Sequence, residues 1–509
     1  MSRMTPIAMA STTNGWQTQP FTRSVVCLLA CVCVAFSARA DQTIAVDFAK
    51  PAGRIRALHG VCNGPIAYGE NPDLKPWFRE AGFPTARLHD CRWPSPDVVD
   101  VSTIFPLFHL DPKDPRNYTF AKTDAYIQGL VDCGTKIVYR LGQSIEYGTA
   151  YHIRPPADME KFARVCVNIV RHYNEGWASG FRHGIEYWEV WNEPEGQGMW
   201  RGTQEEFFAL YETVAKAIKA HDPKLKVGGP ALTSGAFQKN GWGRPFLARC
   251  RDRKLPLDFF SFHAYTVDHV ALCREARKAL DEFGFEKTET HLNEWRYAPS
   301  WEGLRPRAPE MFATVPEWFR QGTNGRGAAF ATSLLMRLQD ERVDMANFYT
   351  ADTSPWSMFG PVGIRTPVYH AFRAFNELAK RPRRVACTVA ASARADESLR
   401  ANVAAVTEAN PGGIGESRKS RPPVAVGGIA EDGRSAVVLV STFDGPAGPR
   451  EIAIAGLPWA ATARVEALLV DDDHALEPVH VAAVADGATR RFTIDIPADA
   501  TLLLRLTHP

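Results

Sequence analysis

The sequence predicts an α/β protein, a (β/α)8 TIM barrel followed by an accessory C-terminal β-sandwich domain. Strand-like and helix-like segments alternate over residues 56–380, and eight βα units in series favour a closed barrel over an open doubly wound sheet. Beyond residue 384, short strand-like segments follow one another without helices, which is typical of a sandwich. The length of 509 residues exceeds one ordinary domain and fits a barrel with a smaller partner.

The barrel region begins with a half-buried strand pattern. Residues 43–48 alternate apolar and polar side chains, and this segment can pair with the carboxyl-terminal sheet. The barrel strands are predicted at residues 56–61, 84–89, 136–141, 187–194, 226–230, 258–265, 290–294 and 343–350. Helices are predicted at residues 74–81, 120–133, 157–173, 327–338 and 369–380. A further helix follows Thr203, because Thr203 and Glu206 have the spacing of a capping box.

The carboxyl-terminal third of the chain contains strands without helices. They are predicted at residues 385–390, 424–429, 435–443, 451–455, 463–469, 491–496 and 502–506, with an exposed loop over residues 410–423. We therefore assign residues 41–383 to the barrel with its preceding strand, and residues 384–509 to the β-sandwich domain.

The first 40 residues have the pattern of an export signal. Arg23 precedes an apolar run from Val25 to Phe36, and Ala38-Arg39-Ala40 forms a cleavage pattern before Asp41. The run is too short to span a bilayer. We therefore expect a secreted or periplasmic protein without stable membrane insertion after cleavage.

Charge and cysteine usage exclude several functional classes. The chain has 59 basic and 57 acidic residues, a net charge of +2, which gives no reason to expect nucleic acid or an anionic membrane as a partner. No G-x-G-x-x-G follows the first strand, so a dinucleotide cofactor is not indicated. The cysteines after residue 40 form no C-x-x-C pairs and have no histidines at metal-ligand spacing, so no metal site is predicted.

The strongest functional pattern is the stretch from Tyr187 to Pro194. It is aromatic and β-branched, as a buried strand is, and it brings Asn192 and Glu193 to a proline that cannot continue a central strand. Barrels place their chemistry at the carboxyl ends of strands. A second strand-like segment brings Glu294 to the same rim. Two carboxylates on one rim are what acid–base and nucleophilic chemistry on a sugar requires.

Other polar and aromatic residues are predicted at or just after strand ends on this rim. Taken singly, such a histidine or arginine is more often hydrogen-bonded scaffold. As a set they suit a pocket for a neutral polyhydroxylated ring, because polar groups bind hydroxyls and an aromatic face packs on the apolar side of a sugar. The candidate binding residues are Arg87, His89, Arg140, His263, Tyr265 and Trp356.

Three motifs, in this order and spacing, carry a family resemblance: Trp191-Asn192-Glu193-Pro194, His263-Ala264-Tyr265 and Asn293-Glu294-Trp295. They resemble clan A of the retaining glycoside hydrolases, and most of all glycoside hydrolase family 39, which includes β-xylosidases and α-L-iduronidases. The resemblance extends from about residue 43 to the end of the chain. It implies a (β/α)8 barrel with a β-sandwich, a glycoside or oligosaccharide substrate, and chemistry without a metal or organic cofactor.

By this resemblance Glu193 is the acid/base and Glu294 the nucleophile of a double displacement. These roles call for a raised pKa at Glu193 and a low one at Glu294. The resemblance also implies further roles: Asn192 at the sugar 2-hydroxyl, Tyr265 hydrogen-bonded to the nucleophile, Arg87 keeping Glu294 ionised, and Trp356 under the ring.

The loop after the second barrel strand departs from the family pattern. Many β-xylosidases of the family have His-Gly here, whereas this chain has His89-Asp90 followed by Cys91-Arg92-Trp93. Because this loop is expected to line the sugar pocket, a uronide, a glucoside or an arabinoside remains an alternative to a xyloside. A carbohydrate-binding barrel without hydrolytic activity is the alternative from a different class, and the paired glutamates argue against it.

Overall fold

The structure is a computed structural model that describes residues 42–65, 72–91, 97–238, 241–390, 421–486 and 489–509. The predicted export signal, Arg92 and Trp93, and most of the predicted loop over residues 410–423 lie outside these residues. Within the described ranges, no helix is long and apolar enough to cross a bilayer.

The predicted barrel is confirmed. After β1 (Gln42–Arg54), eight strands of the described chain close a parallel barrel in sequence order, and the last lies beside the first with Asn347 opposite Gly60. Their carboxyl ends therefore share one rim. The strands are β2 (Gly60–Cys62), β3 (Thr85–Leu88), β4 (Lys136–Leu141), β5 (Tyr187–Val190), β6 (Lys226–Leu232), β7 (Phe259–Ala264), β8 (Glu289–Trp295) and β9 (Met345–Phe348).

Helices connect these strands. The capping box at the start of the helix after β5 is present: Thr203 Oγ1 accepts from the Glu206 N–H at 3.2 Å, and Glu206 Oε2 accepts from the Thr203 N–H at 2.7 Å. The helices are α1 (Lys75–Ala81), α2 (Val101–Ile104), α3 (Ala121–Val131), α4 (Met159–Asn174), α5 (Gln204–His221), α6 (Ser234–Gln238), α7 (Gly243–Asp252), α8 (His269–Glu282), α9 (Met311–Gln321), α10 (Gly325–Arg337) and α11 (Pro367–Ala379).

The helices α7 and α8 were not predicted, although they complete the units after β6 and β7. The apolar residues that they bury are nevertheless spaced for one helical face: Phe246, Leu247 and Cys250 in α7, and Val270, Cys273, Ala276 and Leu280 in α8. The helix α8 also buries Arg277, which donates hydrogen bonds to the carbonyls of Phe285 and Thr288. The pattern was therefore present in the sequence, and both helices were passed over.

The carboxyl-terminal domain is built on one sheet of ten strands in the described chain, in the order β15-β14-β18-β12-β11-β10-β1-β13-β17-β16. The strand β1 lies inside this sheet, antiparallel to β10 and parallel to β13. The remaining strands are β10 (Arg383–Ala390), β11 (Val424–Ile429), β12 (Ser435–Ser441), β13 (Gly448–Ala455), β14 (Arg464–Val470), β15 (Ala475–Val479), β16 (Ala482–Asp486), β17 (Thr489–Ile496) and β18 (Thr501–Thr507).

The expected sandwich takes the form of a single curled sheet. Leu469 on β14 and Phe492 on β17 come from strands near opposite ends of the sheet, yet they belong to one apolar cluster. The sheet therefore curls around its own core. The strands β15 and β16 were missed because most of their side chains are exposed or half-buried and do not alternate as a half-buried strand does.

The sheet packs on the barrel through α10 and α11. Ser441 Oγ donates to the carbonyl of Ala329 at 2.7 Å, and Thr501 Oγ1 donates to Thr332 Oγ1 at 2.9 Å. Arg326, at the start of α10, donates to Asp444 at 2.6 Å and to Asp499 at 2.8 Å on the sheet side. The arginine side chain is 18% exposed, so these charges are largely removed from water.

We expect Arg326→Ala to lower the free energy of unfolding by about 2–4 kcal/mol, because it leaves two partly buried carboxylates without their cation. Urea denaturation followed by tryptophan fluorescence measures the loss. The matched control is Arg320→Ala, whose ion pair with Glu317 is exposed on both sides and should change the midpoint little. Equal midpoints for both variants would contradict a stabilising role for the Arg326 pairs.

Candidate active site

The segment after β5 is held in an uncommon backbone conformation. Trp191 and Glu193 have φ angles of 71° and 40°, in the left-handed region that residues other than glycine seldom adopt. Neighbouring strands hold it there: the Trp191 N–H donates to the carbonyl of Leu141 at 2.9 Å, and the Glu193 N–H to that of Ala231 at 3.0 Å. The Glu193 carboxyl is thereby fixed at the rim.

This rim surrounds a cavity of about 590 Å³. Six of the nine candidate residues line it: His89, Asn192, Glu193, Tyr265, Glu294 and Trp356. The two candidate acids face each other closely, since one oxygen of Glu193 and one of Glu294 lie within 4.8 Å. Their exposure differs: the Glu193 side chain is 20% exposed and the Glu294 side chain 5%.

Glu294 is surrounded by hydrogen-bond donors. Arg87 Nη1 donates to its Oε1 at 2.6 Å and the Tyr265 hydroxyl donates to its Oε2 at 2.5 Å. Burial raises the pKa of Glu294, Arg87 lowers it, Glu193 raises it, and the net direction is upward. The expectation of a low pKa at this residue is therefore wrong, because complete burial outweighs the donors.

Glu193 has a different environment. Its Oε1 lies 2.6 Å from His263 Nδ1. Burial raises the pKa of Glu193 to about 7, with Arg87 lowering it and the negative charge of Asp90 raising it further. Near neutral pH this carboxyl can therefore both hold and release a proton, which is what a general acid and base needs.

His263 lies between the two carboxyl groups and outside the lining of the cavity. Its Nδ1 is 2.6 Å from Glu193 and 3.4 Å from Glu294. Burial lowers the pKa of His263 to about 4, so the ring is neutral at pH 7 and adds no positive charge between the acids. The ring contacts Glu193 and does not line the cavity, so the structure does not support its predicted role in binding substrate.

The two candidate arginines do not line the cavity formed by the described residues. Arg140 is fully buried and donates to Asp100 at 2.6 Å, so the structure does not support its predicted role in binding substrate. Arg87 is also fully buried, and besides Glu294 it donates from Nη2 to Asn192 Oδ1 at 2.6 Å. It therefore contacts the residues that line the cavity rather than the space within it.

Residues after β3 line another side of the cavity. Burial, with Arg140 and Arg87 nearby, lowers the pKa of His89 well below its usual range, so this imidazole is neutral. Its Nε2 lies 3.3 Å from Asp90 Oδ1, which also accepts from the Ile145 N–H at 2.9 Å. The neutral ring and the carboxylate give this side hydrogen-bonding groups of the kind that recognise hydroxyls.

Another part of the cavity wall is aromatic. The Trp356 ring lies 6.3 Å from that of Trp301 and 6.2 Å from that of Tyr265, and all three residues line the cavity. Behind it the Arg296 guanidinium lies 5.2 Å from the Trp356 ring and donates to the Trp356 carbonyl at 2.8 Å. These contacts fix the indole in place, with its ring at the cavity.

Glu193, His263 and Glu294 are also the group of described residues whose ligand atoms lie close enough to hold one metal ion. The surroundings do not favour one. Both oxygens of Glu294 already accept hydrogen bonds, and one of the donors is the cationic Arg87. A cation in this position would meet the positive charge of the guanidinium at short range.

Sequence reasoning missed Glu189, Ser261 and Asn293. The Glu189 carboxylate is fully buried and accepts from Arg87 Nε at 2.6 Å, from Ser261 Oγ at 2.7 Å and from Asn293 Nδ2 at 2.5 Å. The signal was present, because a glutamate in the middle of a buried strand requires a partner. The prediction considered strand ends and passed over the strand interior.

Comparison with known proteins agrees with this geometry. The family model of the glycosyl hydrolases family 39 matches residues 74–382. A β-xylosidase of Geobacillus stearothermophilus is 40% identical over 121 residues, covering 23% of this chain and 22% of the relative. A β-xylosidase of Caldicellulosiruptor saccharolyticus is 28% identical over 306 residues, covering 53% of this chain and 58% of the relative. The chain thus aligns with less than two thirds of either relative.

Solved structures share the fold over nearly the whole chain. A glucosidase from Croceicoccus marinus superposes with a TM-score of 0.73 at 23% identity, covering 92% of this chain and 99% of that one. A monomeric β-xylosidase from Caulobacter crescentus superposes with a TM-score of 0.63 at 17% identity and the same two coverages. The likeness includes the β domain as well as the barrel.

Proposed function

We propose that this chain, which belongs to the glycosyl hydrolases family 39, is an exported retaining glycoside hydrolase that acts on β-xylosides. The observation that carries the proposal is the pair Glu193 and Glu294, with oxygens within 4.8 Å of each other in unlike surroundings. Retaining enzymes have carboxyl groups about 5–5.5 Å apart, and inverting enzymes about 6.5–9.5 Å. The short spacing supports retention.

In the first step Glu294 attacks the anomeric carbon while Glu193 protonates the departing oxygen. The raised pKa of about 7 at Glu193 supports its role as proton donor. Glu294 attacks as the carboxylate, which Arg87 and Tyr265 stabilise by donating to its two oxygens. A glycosyl ester on Glu294 results.

In the second step the ionised Glu193 removes a proton from water, and the water oxygen displaces Glu294 from the anomeric carbon. Two displacements at one carbon restore its configuration. Asn192 lines the cavity, directly precedes Glu193 in sequence and is oriented by Arg87, which supports its assignment to the sugar 2-hydroxyl.

The charged residues that line the cavity indicate whether the sugar is neutral or acidic. The lining contains the carboxylates Asp90 and Asp352 besides the two acids and, among the described lining residues, one arginine, Arg305. A uronide would bring a further negative charge into this space, so a neutral sugar is favoured. Relatives named β-xylosidase support a xyloside, and the structural likeness to a glucosidase keeps a glucoside as the second candidate.

Aryl glycosides test the proposal. We expect 4-nitrophenyl β-D-xyloside to be hydrolysed with a higher kcat/KM than the matching glucoside, arabinoside or uronide. The rate should fall as the pH rises through about 7, because Glu193 then loses the proton it must donate. Glu294→Ala should reduce the rate about 10⁴-fold or more. Binding of the sugars without turnover of any glycoside would indicate a non-hydrolysing barrel instead.

Azide distinguishes the roles of the two acids. Glu193→Ala should still form the glycosyl ester from a substrate whose phenol leaves well, but release should be slowed by about 10²–10⁴-fold. Azide needs no deprotonation, so it should restore turnover and give the glycosyl azide of retained configuration by NMR. With Glu294→Ala, azide should attack the substrate directly and give the inverted product. The opposite pair of products would reverse the assignment.

Export is tested by the amino terminus of the mature protein. If the cleavage pattern at Ala38-Arg39-Ala40 is used, amino-terminal sequencing of secreted or periplasmic protein should begin at or near Asp41. Ala40→Leu should block cleavage and leave the longer form, since the peptidase requires a small residue there. Protein retained in the cytoplasm with Met1 intact would contradict export.

A further inference from the structure

The Glu189 carboxylate is a buried charged group of the described barrel interior that accepts three hydrogen bonds and has no place in the chemistry above. It lies on β5, four residues before Glu193, and is fully buried. Its Oε2 accepts from Arg87 Nε at 2.6 Å. Its Oε1 accepts from Ser261 Oγ at 2.7 Å and from Asn293 Nδ2 at 2.5 Å. A buried charge is costly, and this one is retained with three donors from three other strands.

Through Arg87, Glu189 is coupled to the nucleophile. The guanidinium donates from Nε to Glu189 and from Nη1 to Glu294, in both cases at 2.6 Å. One cation is therefore shared by two carboxylates. The charges of Glu189 and Glu294 together raise the pKa of Arg87 against the effect of burial, so the guanidinium stays charged. How much of its charge is available to Glu294 depends on Glu189.

Glu189 is also connected to the backbone of both acids. Ser261 Oγ, which donates to Glu189, accepts from the Ala231 N–H at 3.0 Å. The Ala231 carbonyl in turn accepts from the Glu193 N–H at 3.0 Å. On the other side, Asn293 directly precedes Glu294 on β8. The same carboxylate is thus connected to the backbone of Glu193 through three successive hydrogen bonds, and to Glu294 through the adjacent residue Asn293.

We propose that Glu189 is a positioning residue that sets the reactivity of Glu294 by sharing Arg87 with it. With the negative charge of Glu189 in place, Arg87 neutralises Glu294 in part, and the carboxylate keeps its electron density for attack. Without that charge, Arg87 would pair with Glu294 alone. The nucleophile would then be ionised more readily but would attack more slowly. This inference rests on the proposed function.

Other groups also face Glu294, and each keeps its own effect when Glu189 is changed. The charged and titratable groups that face Glu294 from the surrounding strands and loops are Arg87 on β3, Cys62 on β2, Glu193 after β5, His263 on β7, Tyr265 after β7 and Tyr349 after β9. Substitution of Glu189 leaves all of these groups in place. A difference between the variant and the wild-type protein in the ionisation or reactivity of Glu294 is therefore due to Glu189.

The test is Glu189→Gln, which keeps the shape and removes the charge. Asn293 Oδ1 has no hydrogen-bond partner among the described residues. The Asn293 amide can therefore rotate, and its Oδ1 can accept a hydrogen bond from the new side-chain amide at position 189. Loss of a negative charge near Glu294 favours its ionised form and lowers its pKa. The acid limb of the kcat/KM profile with an aryl glycoside should therefore move down by about one pH unit.

The reactivity of Glu294 is measured separately with a 2,4-dinitrophenyl 2-deoxy-2-fluoro glycoside. Glu294 attacks the anomeric carbon, the bond to dinitrophenolate breaks with its electron pair, and the labelled protein is followed by mass spectrometry. Because this phenolate leaves without a proton, the rate depends little on Glu193. We expect labelling of Glu189→Gln to be about tenfold slower at saturation, within the range of single positioning effects.

Glu212→Gln is the matched control. Glu212 lies on α5, is 9% exposed and does not line the cavity. It pairs with Lys216 on the same helix and with Arg253 after α7. Both limbs of the pH profile and the labelling rate of this variant should therefore stay at wild-type values. If Glu189→Gln does not fold, as judged by circular dichroism, Glu189→Asp replaces it. The shorter side chain draws the charge away from Arg87, so its acid limb should move in the same direction by a smaller amount.

The outcomes separate this inference from the proposed function. A folded Glu189 variant with the wild-type acid limb and labelling rate would overturn the role of Glu189 and leave the function intact. A wild-type protein that neither hydrolyses nor becomes labelled would overturn the function itself. A slower rate with an unmoved acid limb would show a merely structural role and would also overturn the proposal.

Discussion

The Arg87 guanidinium is the group on which the active site depends. It is fully buried at the centre of the barrel and donates to Glu189, Glu294 and Asn192, each at 2.6 Å. A cation without water needs compensating charge, and two carboxylates from two other strands supply it. The one guanidinium therefore connects β3, β5 and β8 at the rim and links the two carboxylates to each other.

The two acids differ because this guanidinium is closer to one of them. Glu294 receives Arg87 and Tyr265 directly, whereas Glu193 lies against a neutral His263. Burial raises both pKa values, so burial alone could not assign the roles. The donors favour the proposed roles: Glu294 can be stabilised as an anion, and Glu193, with a pKa of about 7, can carry a proton near neutral pH.

The sequence allowed the barrel, and the position of Glu193 and Glu294 on one rim, to be predicted because these depend on local patterns: alternation of elements, and strands that end at Glu193-Pro194 and Glu294-Trp295. The residue patterns alone did not allow contacts between strands to be predicted; the contacts of Arg87 and Tyr265 with Glu294 were expected only from the family resemblance, and the structure shows both. Arg140 and Arg87 occupy similar places in the sequence pattern, yet one pairs with Asp100 and the other with Glu294. Which partner an arginine meets depends on the barrel register, and so do the partners of Glu189, although the need of a buried glutamate for a partner could be read from the sequence.

The strand β1 shows why the barrel and the β domain belong together. It precedes the barrel in sequence but lies between β10 and β13 in the sheet. The β domain is therefore built from segments that precede and follow the barrel. Separating the β domain from the barrel would therefore require β1 to leave the middle of the sheet, where it is hydrogen-bonded on both sides. The barrel follows β1 directly and is followed directly by β10. Both ends of the barrel thus continue into adjacent strands of one sheet, β1 and β10, and this sheet holds the two ends of the barrel together.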